Sequence, residues 1–597
     1  MFYKSFHFAS SQDTNSTLVT SDSLYSFDKG YGFLTEQNCS EHELLQIPEL
    51  NNGFELWYWY IGCKLIQINQ DKTGCFIDNS EKLPLSFKAN VPHSGNYKIT
   101  LSITAEEKPL NNLIIFTGRR RLALRDKNIA VGETYTFDTI VNVCDYIPRG
   151  KEIAFTDNSV CITILGETPK ISAITIEEIN IPTIYIAGDS TLTDQTGAYP
   201  YVAESCYCGW AQFLGYFLNN KASICNHAHS GLTTESFREG GHYSIIEENI
   251  KPDDYFLLQF GHNDQKLKHL TFDGGYKENV IAYIDEMRAK KAIPVLVSPL
   301  CRNSWKGTDG TYNDLLADYA MVIAEIGKEK NVPVIDLHKS SYDFITLIGL
   351  EDAKSYFYPG DYTHTNDFGA YKMASFVADG FHTIDILKDY PLANVPEWTP
   401  PKRIELQKPP VGFENIKPPV IASFQVGFRD IDSCDNKDKV IELASIGVIS
   451  NTEPLFRPND LITRVEALVM IIKISNFFPT NVYNDMFQDV VGHEWYAGTV
   501  ECSWTNGIID KTLVDNNFYP NKAVTYEELI SFEINGYKGR KLLPEIAEYT
   551  KMNCFEWANS YYMAAKSLGI LDTTLQHDHL LTKQEAVNII YTFKSIM

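Results

Sequence analysis

Between residues 183 and 388, short apolar segments alternate with amphipathic ones, and this alternation constrains the fold more than any other feature of the chain. "TIYIA", "SICNHA", "DYFLLQF", "IPVLVSP" and "VPVIDL" are largely apolar, the pattern of strands buried on both faces. The stretches "GWAQFLGYFLNN", "YKENVIAYIDEMRAKK", "YNDLLADYAMVIAEIGKEK" and "NDFGAYKMASFVADGF" carry helical spacing instead. Strands separated by helices pair in parallel, so the pattern predicts a doubly wound α/β domain over residues 181–390. In such a sheet the carboxyl ends of the strands gather along one edge, where open α/β folds place their sites.

A chain of 597 residues exceeds a single core, and length alone suggests about three or four domains. Residues 1–180 read as a β-sandwich, because "GNYKITLSITAEE" and "VCITILGE" are β-like and bounded by turn formers. Residues 391–420 contain eight prolines and read as a semi-rigid linker. Residues 421–597 hold a degenerate threefold repeat whose glycines Gly447, Gly507 and Gly569 lie 60 and 62 residues apart. Each repeat reads as a helix ending at glycine, a loop, and a capping box opening a second helix. The boxes are Thr463 with Glu466, Thr525 with Glu528, and Thr582 with Glu585. The expected fold class is therefore multidomain, with a β-sandwich, a central doubly wound α/β domain and all-α repeats.

The balance of 52 basic against 76 acidic residues, a net charge of −24, argues against a nucleic-acid binder, which needs a basic face. Twelve cysteines are too sparse for a disulfide scaffold. Cys206 and Cys208 lack a second Cys/His pair at zinc spacing, and Cys161 and Cys225 sit in apolar runs as buried thiols, so no metal or cofactor is expected. No run of 18 apolar residues exists, hence no expected membrane span. The first twenty residues lack the apolar core and cleavage site of a secretory signal.

Polar residues cluster just after the predicted strands: Gly188-Asp189-Ser190, then Gly231 in "NHAHSG", then His262, Asn263 and Asp264 in "FGHND". Asp361 and His364 come in "GDYTHTNDFGA", before the last helix. Each has an ordinary reading, Ser190 as a helix cap, Gly231 as a turn residue, Asn263 as an Asx turn, and Asp361 and His364 as loop residues. Together they supply a reaction. A serine hydroxyl needs an adjacent base, and His364 titrates in the range that lets it take and return a proton. Asp361 on the same loop can fix the imidazole tautomer. The backbone N–H groups of Ser190 and Gly231 and the Asn263 amide can receive the oxyanion. The G-x-S-x-G elbow of α/β-hydrolases is absent around Ser190.

These four blocks, "GDST", "NHAHSG", "GHND" and "DYTH", resemble those of the SGNH (GDSL) hydrolase superfamily. Together with "GWAQ" and "DYTHTNDFGA" they are similar to its rhamnogalacturonan acetylesterase branch over residues 183–388. The resemblance implies a flavodoxin-like SGNH domain and metal-free deacetylation of plant cell-wall carbohydrate, of pectin or xylan type, through an acyl-enzyme. Leu232 departs from the family, where many relatives carry Arg. "YSFDKGYGF", "FKANVPHSGNYKITL" and "VNVCDYIPRGK" make the N-terminal region resemble a galactose-binding-like sandwich, which either binds sugar or shapes the cleft.

The C-terminal repeats resemble S-layer homology (SLH) modules, with "FRDI", "FQDV" and "FRPNDLITRVE" carrying the likeness. In that family an arginine of the Thr-Arg-x-Glu motif helps bind anionic secondary cell-wall polymer. Only Arg464 stands at that position, Tyr526 and Lys583 replacing it elsewhere, so weak binding at most is implied. The alternatives are another SGNH ester hydrolysis or a non-catalytic wall-binding protein. SLH modules imply the cell surface, while the missing secretory signal implies the cytoplasm.

Overall fold

The computed structural model describes all residues except 1, 10–15, 35–66, 79–82, 148–153, 157, 196, 198–200, 306–311, 360, 402–427, 433, 451–454, 478–486, 491–493 and 545–548. The expected proline-rich linker falls largely on 402–427, outside the described residues. The chain divides into two compact units. The first comprises residues 1–301, 316–347 and 364–400, and the second 302–315, 348–363 and 401–597.

In the first unit, the N-terminal region forms two five-stranded sheets. One has the order Thr134–Val143, Gly95–Thr104, Ala173–Ile179, Tyr3–His7, Thr17–Leu18; the other runs Tyr31–Leu34, Leu85–Asn90, Ser159–Leu165, Leu110–Thr117, Arg121–Ile129. The period-two pattern of "GNYKITLSIT" puts Tyr97, Ile99, Leu101 and Ile103 on the inner face. Phe6 and Phe8 of the first sheet side meet Phe87 of the second edge-on, at 5.2 and 5.0 Å between ring centroids.

The same unit carries five parallel strands: β1 (Thr183–Gly188), β2 (Ser223–Asn226), β3 (Tyr255–Gln259), β4 (Ile293–Val297) and β5 (Val334–Ile335). They lie in the order β2-β1-β3-β4-β5, the reversal beside β1 that defines a topological switch point. The helices include α1 (Trp210–Leu214), α2 (His242–Asn249), α3 (Gly275–Ala289), α4 (Ala317–Lys330), α5 (Leu337–Ala353) and α6 (Asp367–His382). Two expectations need correction. "GWAQFLGYFLNN" gives only five α-helical residues and a 3₁₀ turn over Gly215–Phe217, after which the backbone becomes extended at Leu218. Helices α2 and α5 lie outside the predicted helical stretches, and α5 is interrupted where Gly349 adopts φ 80°. One apolar core runs from Phe6 and Phe87 through Ile184 and Leu257 to Met373 and Phe381, so the sheets and the α/β layer share an interior.

In the second unit, the repeats form three helix pairs: α7 (Lys437–Ser445) with α8 (Arg464–Ile474), α9 (Ala497–Thr505) with α10 (Tyr526–Lys538), and α11 (Asn559–Ser567) with α12 (Lys583–Lys594). Gly447, Gly507 and Gly569 come after the first helix of each pair at φ 75°, 67° and 72°, the left-handed stop that glycine supplies without strain. Bridges Leu461↔Thr582, Thr463↔Ala523 and Thr525↔Leu580 join each repeat to the other two. Reciprocal capping boxes form at Thr463/Glu466 and Thr582/Glu585. The second is only half made. Thr525 accepts the Glu528 N–H, but the Glu528 carboxylate turns to Arg464 and Lys522.

That diversion explains Arg464. Its side chain is 1% exposed, donates to the Leu513 and Phe518 carbonyls at 3.1 and 2.6 Å, and pairs with Glu528 at 2.6 Å. Lys583, at the matching position of repeat three, reaches Glu466 of repeat one at 2.8 Å. The position expected to face wall polymer instead braces one repeat to the next, and Tyr526 is the member that cannot make an ion pair.

Candidate active site

Strand β1 is buried along its whole length and ends at Gly188. The chain then makes a tight turn, not the helix start that "GDS" also allowed. The Asp189 carboxylate accepts from the Thr191 N–H and hydroxyl at 2.9 and 2.8 Å, and its carbonyl accepts from Leu192 N–H at 3.2 Å. These bonds consume the donors a helix would need and leave Ser190 half-exposed at the strand's carboxyl end. His364, three residues before α6, meets it: Nε2 lies 2.8 Å from Ser190 Oγ. The edge of Tyr207 closes against the imidazole, with ring centroids 5.8 Å apart at 88°.

Gly231 lies on the loop after β2 at φ 85°, where a side chain would be strained even though nothing crowds its Cα. The N–H groups of Ser190 and Gly231 donate to no acceptor among the described residues. Asn263, after β3, is buried; its Nδ2 donates to the Leu232 carbonyl at 2.9 Å and its Oδ1 accepts from Lys266 at 2.8 Å. The amide therefore has one N–H tied to the Gly231 loop and a second in hand. Asp361 is buried on the loop before His364, where its carboxylate accepts the Thr363 N–H at 2.7 Å.

Residues with no role legible in the sequence hold these blocks together. His262 Nδ1 lies 3.2 Å from Asp189 and its Nε2 lies 3.0 Å from the Leu300 carbonyl. Neither oxygen can donate, so both ring nitrogens do, and the imidazolium balances the buried Asp189. Despite burial, the His262 charge and the Thr191 bonds hold the Asp189 carboxyl below its ordinary value. Asp264 accepts from Thr234 N–H, Thr234 hydroxyl and Gly261 N–H at 2.9, 2.6 and 3.1 Å, joining the loops after β2 and β3. Burial pushes its carboxyl up to about 6 against those bonds.

Three consecutive arginines at a hairpin tip of the N-terminal sheets clamp the same blocks from behind. Arg120, fully buried at φ 57°, forks onto both oxygens of Asp367 at 2.8 and 2.7 Å and donates to the Gln195 and Tyr207 carbonyls at 3.0 and 2.6 Å. Arg119 and Arg121 pair with Asp194 at 3.2 and 3.0 Å and donate to the carbonyls of Asn226 and Ile224 at 2.8 and 3.0 Å. Asp194 lies four residues past Ser190, Asn226 ends β2, and Asp367 opens α6. The one sequence signal was "RRR" in an acidic chain.

A serine bonded to a histidine at the carboxyl edge of a parallel sheet, without a nucleophile elbow, defines a class of serine ester hydrolases. Residues 186–371 match the GDSL-like lipase/acylhydrolase family, and residues 487–530 match the S-layer homology domain. The chain is 33% identical over 221 residues to the rhamnogalacturonan acetylesterase RhgT of Bacillus subtilis, covering 35% of this chain and 93% of that protein. It is 35% identical over 211 residues to the probable rhamnogalacturonan acetylesterase YesY of the same organism, covering 34% and 94%. A rhamnogalacturonan acetylesterase of Emericella nidulans is 27% identical over 223 residues, covering 33% and 82%. The chain belongs to the GDSL-like lipase/acylhydrolase family and is a carboxylic ester hydrolase.

Proposed function

We propose that the chain removes O-acetyl groups from plant cell-wall polysaccharides or their oligosaccharides, of pectin, rhamnogalacturonan or xylan type. The observation that carries the reading is the 2.8 Å contact between Ser190 Oγ and His364 Nε2. The likeness to rhamnogalacturonan acetylesterases supports an acetyl group on a carbohydrate as the substrate. Ser190 Oγ attacks the acetyl carbonyl while His364 takes its proton. Asp361 orients the imidazole and supports its charge. The developing oxyanion is received by the Ser190 and Gly231 N–H groups and the second Asn263 N–H. Collapse expels the sugar oxygen, which takes the proton from His364 and leaves as an alcohol. Water, deprotonated by His364, then attacks the acetyl-Ser190 ester and releases acetate.

The test is acetate release from acetylated pectin, acetylated xylan and their oligomers, beside esters of longer acyl chains. Acetyl-sugar substrates are expected to be preferred and Ser190→Ala to abolish turnover. Preference for long acyl chains, or an active Ser190→Ala protein, overturns the reading. The S-layer homology match supports a second, wall-polymer-binding role for the repeats, to be measured by co-sedimentation with purified cell wall. Because Arg464 is engaged internally, Arg464→Lys is expected to lower repeat stability more than sedimentation.

A further inference from the structure

Cys225 is a fully buried thiol in β2. Residues two apart on an extended chain project to one side, so Cys225 and the buried His227 face the same way. Cys144, one residue past the sheet strand Thr134–Val143, meets them there. The Cys144 and Cys225 sulfurs lie 3.2 Å apart, and His227 Nε2 lies 3.1 Å from Cys225 Sγ and 3.8 Å from Cys144 Sγ. The opposite ring nitrogen of His227 is buried with no hydrogen-bond partner among the described residues, so the imidazole commits its polar edge to the two sulfurs.

We propose that Cys144, Cys225 and His227 bind a single zinc ion, with the fourth position open to solvent. Zinc bonds of about 2.3 Å to sulfur and 2.0–2.1 Å to nitrogen, at tetrahedral angles, put ligand atoms roughly 3.5–3.8 Å apart. The 3.8 Å separation is of that size, while the sulfur–sulfur and the shorter sulfur–nitrogen separations, 3.2 and 3.1 Å, are about half an ångström less and must open by that much to admit the ion. Two thiolates balance a divalent charge, and sulfur with imidazole selects zinc over magnesium or calcium. The nearby Arg119 and Arg121 share Asp194 as their counter-charge, at 3.2 and 3.0 Å. On its exposed side Cys144 lines an open cleft together with Arg119, Arg121, Asn142, Tyr146 and Ile224. The site rests on these three side chains and is independent of the esterase reading. Its effect is to fasten the N-terminal sheets to β2 just before the loop that carries Gly231.

The test uses full-length, tag-free protein kept under a non-thiol reductant. Elemental analysis after exposure to equimolar zinc sulfate is expected to find roughly one zinc per chain. Cobalt substitution should give the sulfur-to-cobalt charge-transfer and visible bands of a tetrahedral thiolate site. Cys144→Ser, at the half-buried ligand, should weaken cobalt affinity about 100-fold or more, beyond the 10–100-fold cost of outer-shell changes. His227→Gln should do likewise, and Cys554→Ser should change nothing. Absence of bound metal with both thiols free, a Cys144–Cys225 disulfide that persists under reductant, or full metal content in folded Cys144→Ser protein each overturns the proposal.

Discussion

At the scale of single residues, the site depends on groups that do two things at once. Asn263 uses one amide hydrogen to hold the Leu232 carbonyl, and the proposed mechanism assigns the other to the oxyanion. Asn263→Ala is expected to lower kcat about 10²–10³-fold, roughly 2.7–4 kcal/mol of barrier, with a smaller change in KM. Steady-state kinetics on an acetylated oligosaccharide, with a melting curve to verify folding, measure both. His262 shows why such residues are hard to read from sequence. It sits beside Asn263 in "GHND" and looks catalytic, yet both ring nitrogens are spent on Asp189 and Leu300. Only the tertiary structure separates it from His364, whose Nε2 faces the serine.

At the scale of elements, the arginine hairpin is the principal support of the catalytic edge. Arg120→Met leaves Asp367 buried without its counter-charge and is expected to destabilise the first unit by about 3–5 kcal/mol. Changing Asp367 to Leu as well should recover part of that loss, since a paired apolar replacement removes the stranded charge. Denaturant unfolding of the single and double variants decides this.

Helix α10 supplies a second case. Glu533 is wholly buried and neither carboxylate oxygen has a hydrogen-bond partner among the described residues. Burial alone raises its carboxyl well above the ordinary value. Below the unfolded value, near 4.5, both states are protonated and the group costs nothing through ionisation. Above it the unfolded chain releases a proton that the folded helix retains, so stability falls as pH rises until the folded carboxyl ionises. Relative to Glu533→Gln, the native protein should lose up to about 1.4 kcal/mol per pH unit in that window. Thermal melts of the two proteins from pH 5 to 8 should diverge upward in pH, and parallel curves would refute it.

For the whole molecule, the net charge of −24 bears on substrate choice. A pectic substrate carries carboxylates that an acidic protein repels at low ionic strength, whereas acetylated xylo-oligosaccharides without uronic acid are neutral. Raising salt from about 20 to 200 mM should lower KM several-fold for acidic oligomers and leave it unchanged for neutral ones. Equal salt response for both would show that the cleft is shielded from the overall field.

The sequence by itself determined the layers of the protein and the residue types on which the proposed reaction rests. Strands buried on both faces, helices between them and a three-copy capping pattern are local signals, each written within a few turns of chain. Ser190, Gly231, Asn263, Asp361 and His364 stand together as a proposal because their chemistry is complete only as a set, and the structure brings His364 to Ser190. The tertiary structure decided which of the neighbouring polar residues hold the scaffold. Asp189 became a turn anchor, His262 its counter-ion, and Arg464 a brace between repeats. It also brought Arg120 to Asp367, 247 positions away, and Cys144 to Cys225, 81 positions away. No local periodicity encodes such pairings. They arise from how sheets and loops close on one another, and burial then makes each partner necessary to the other.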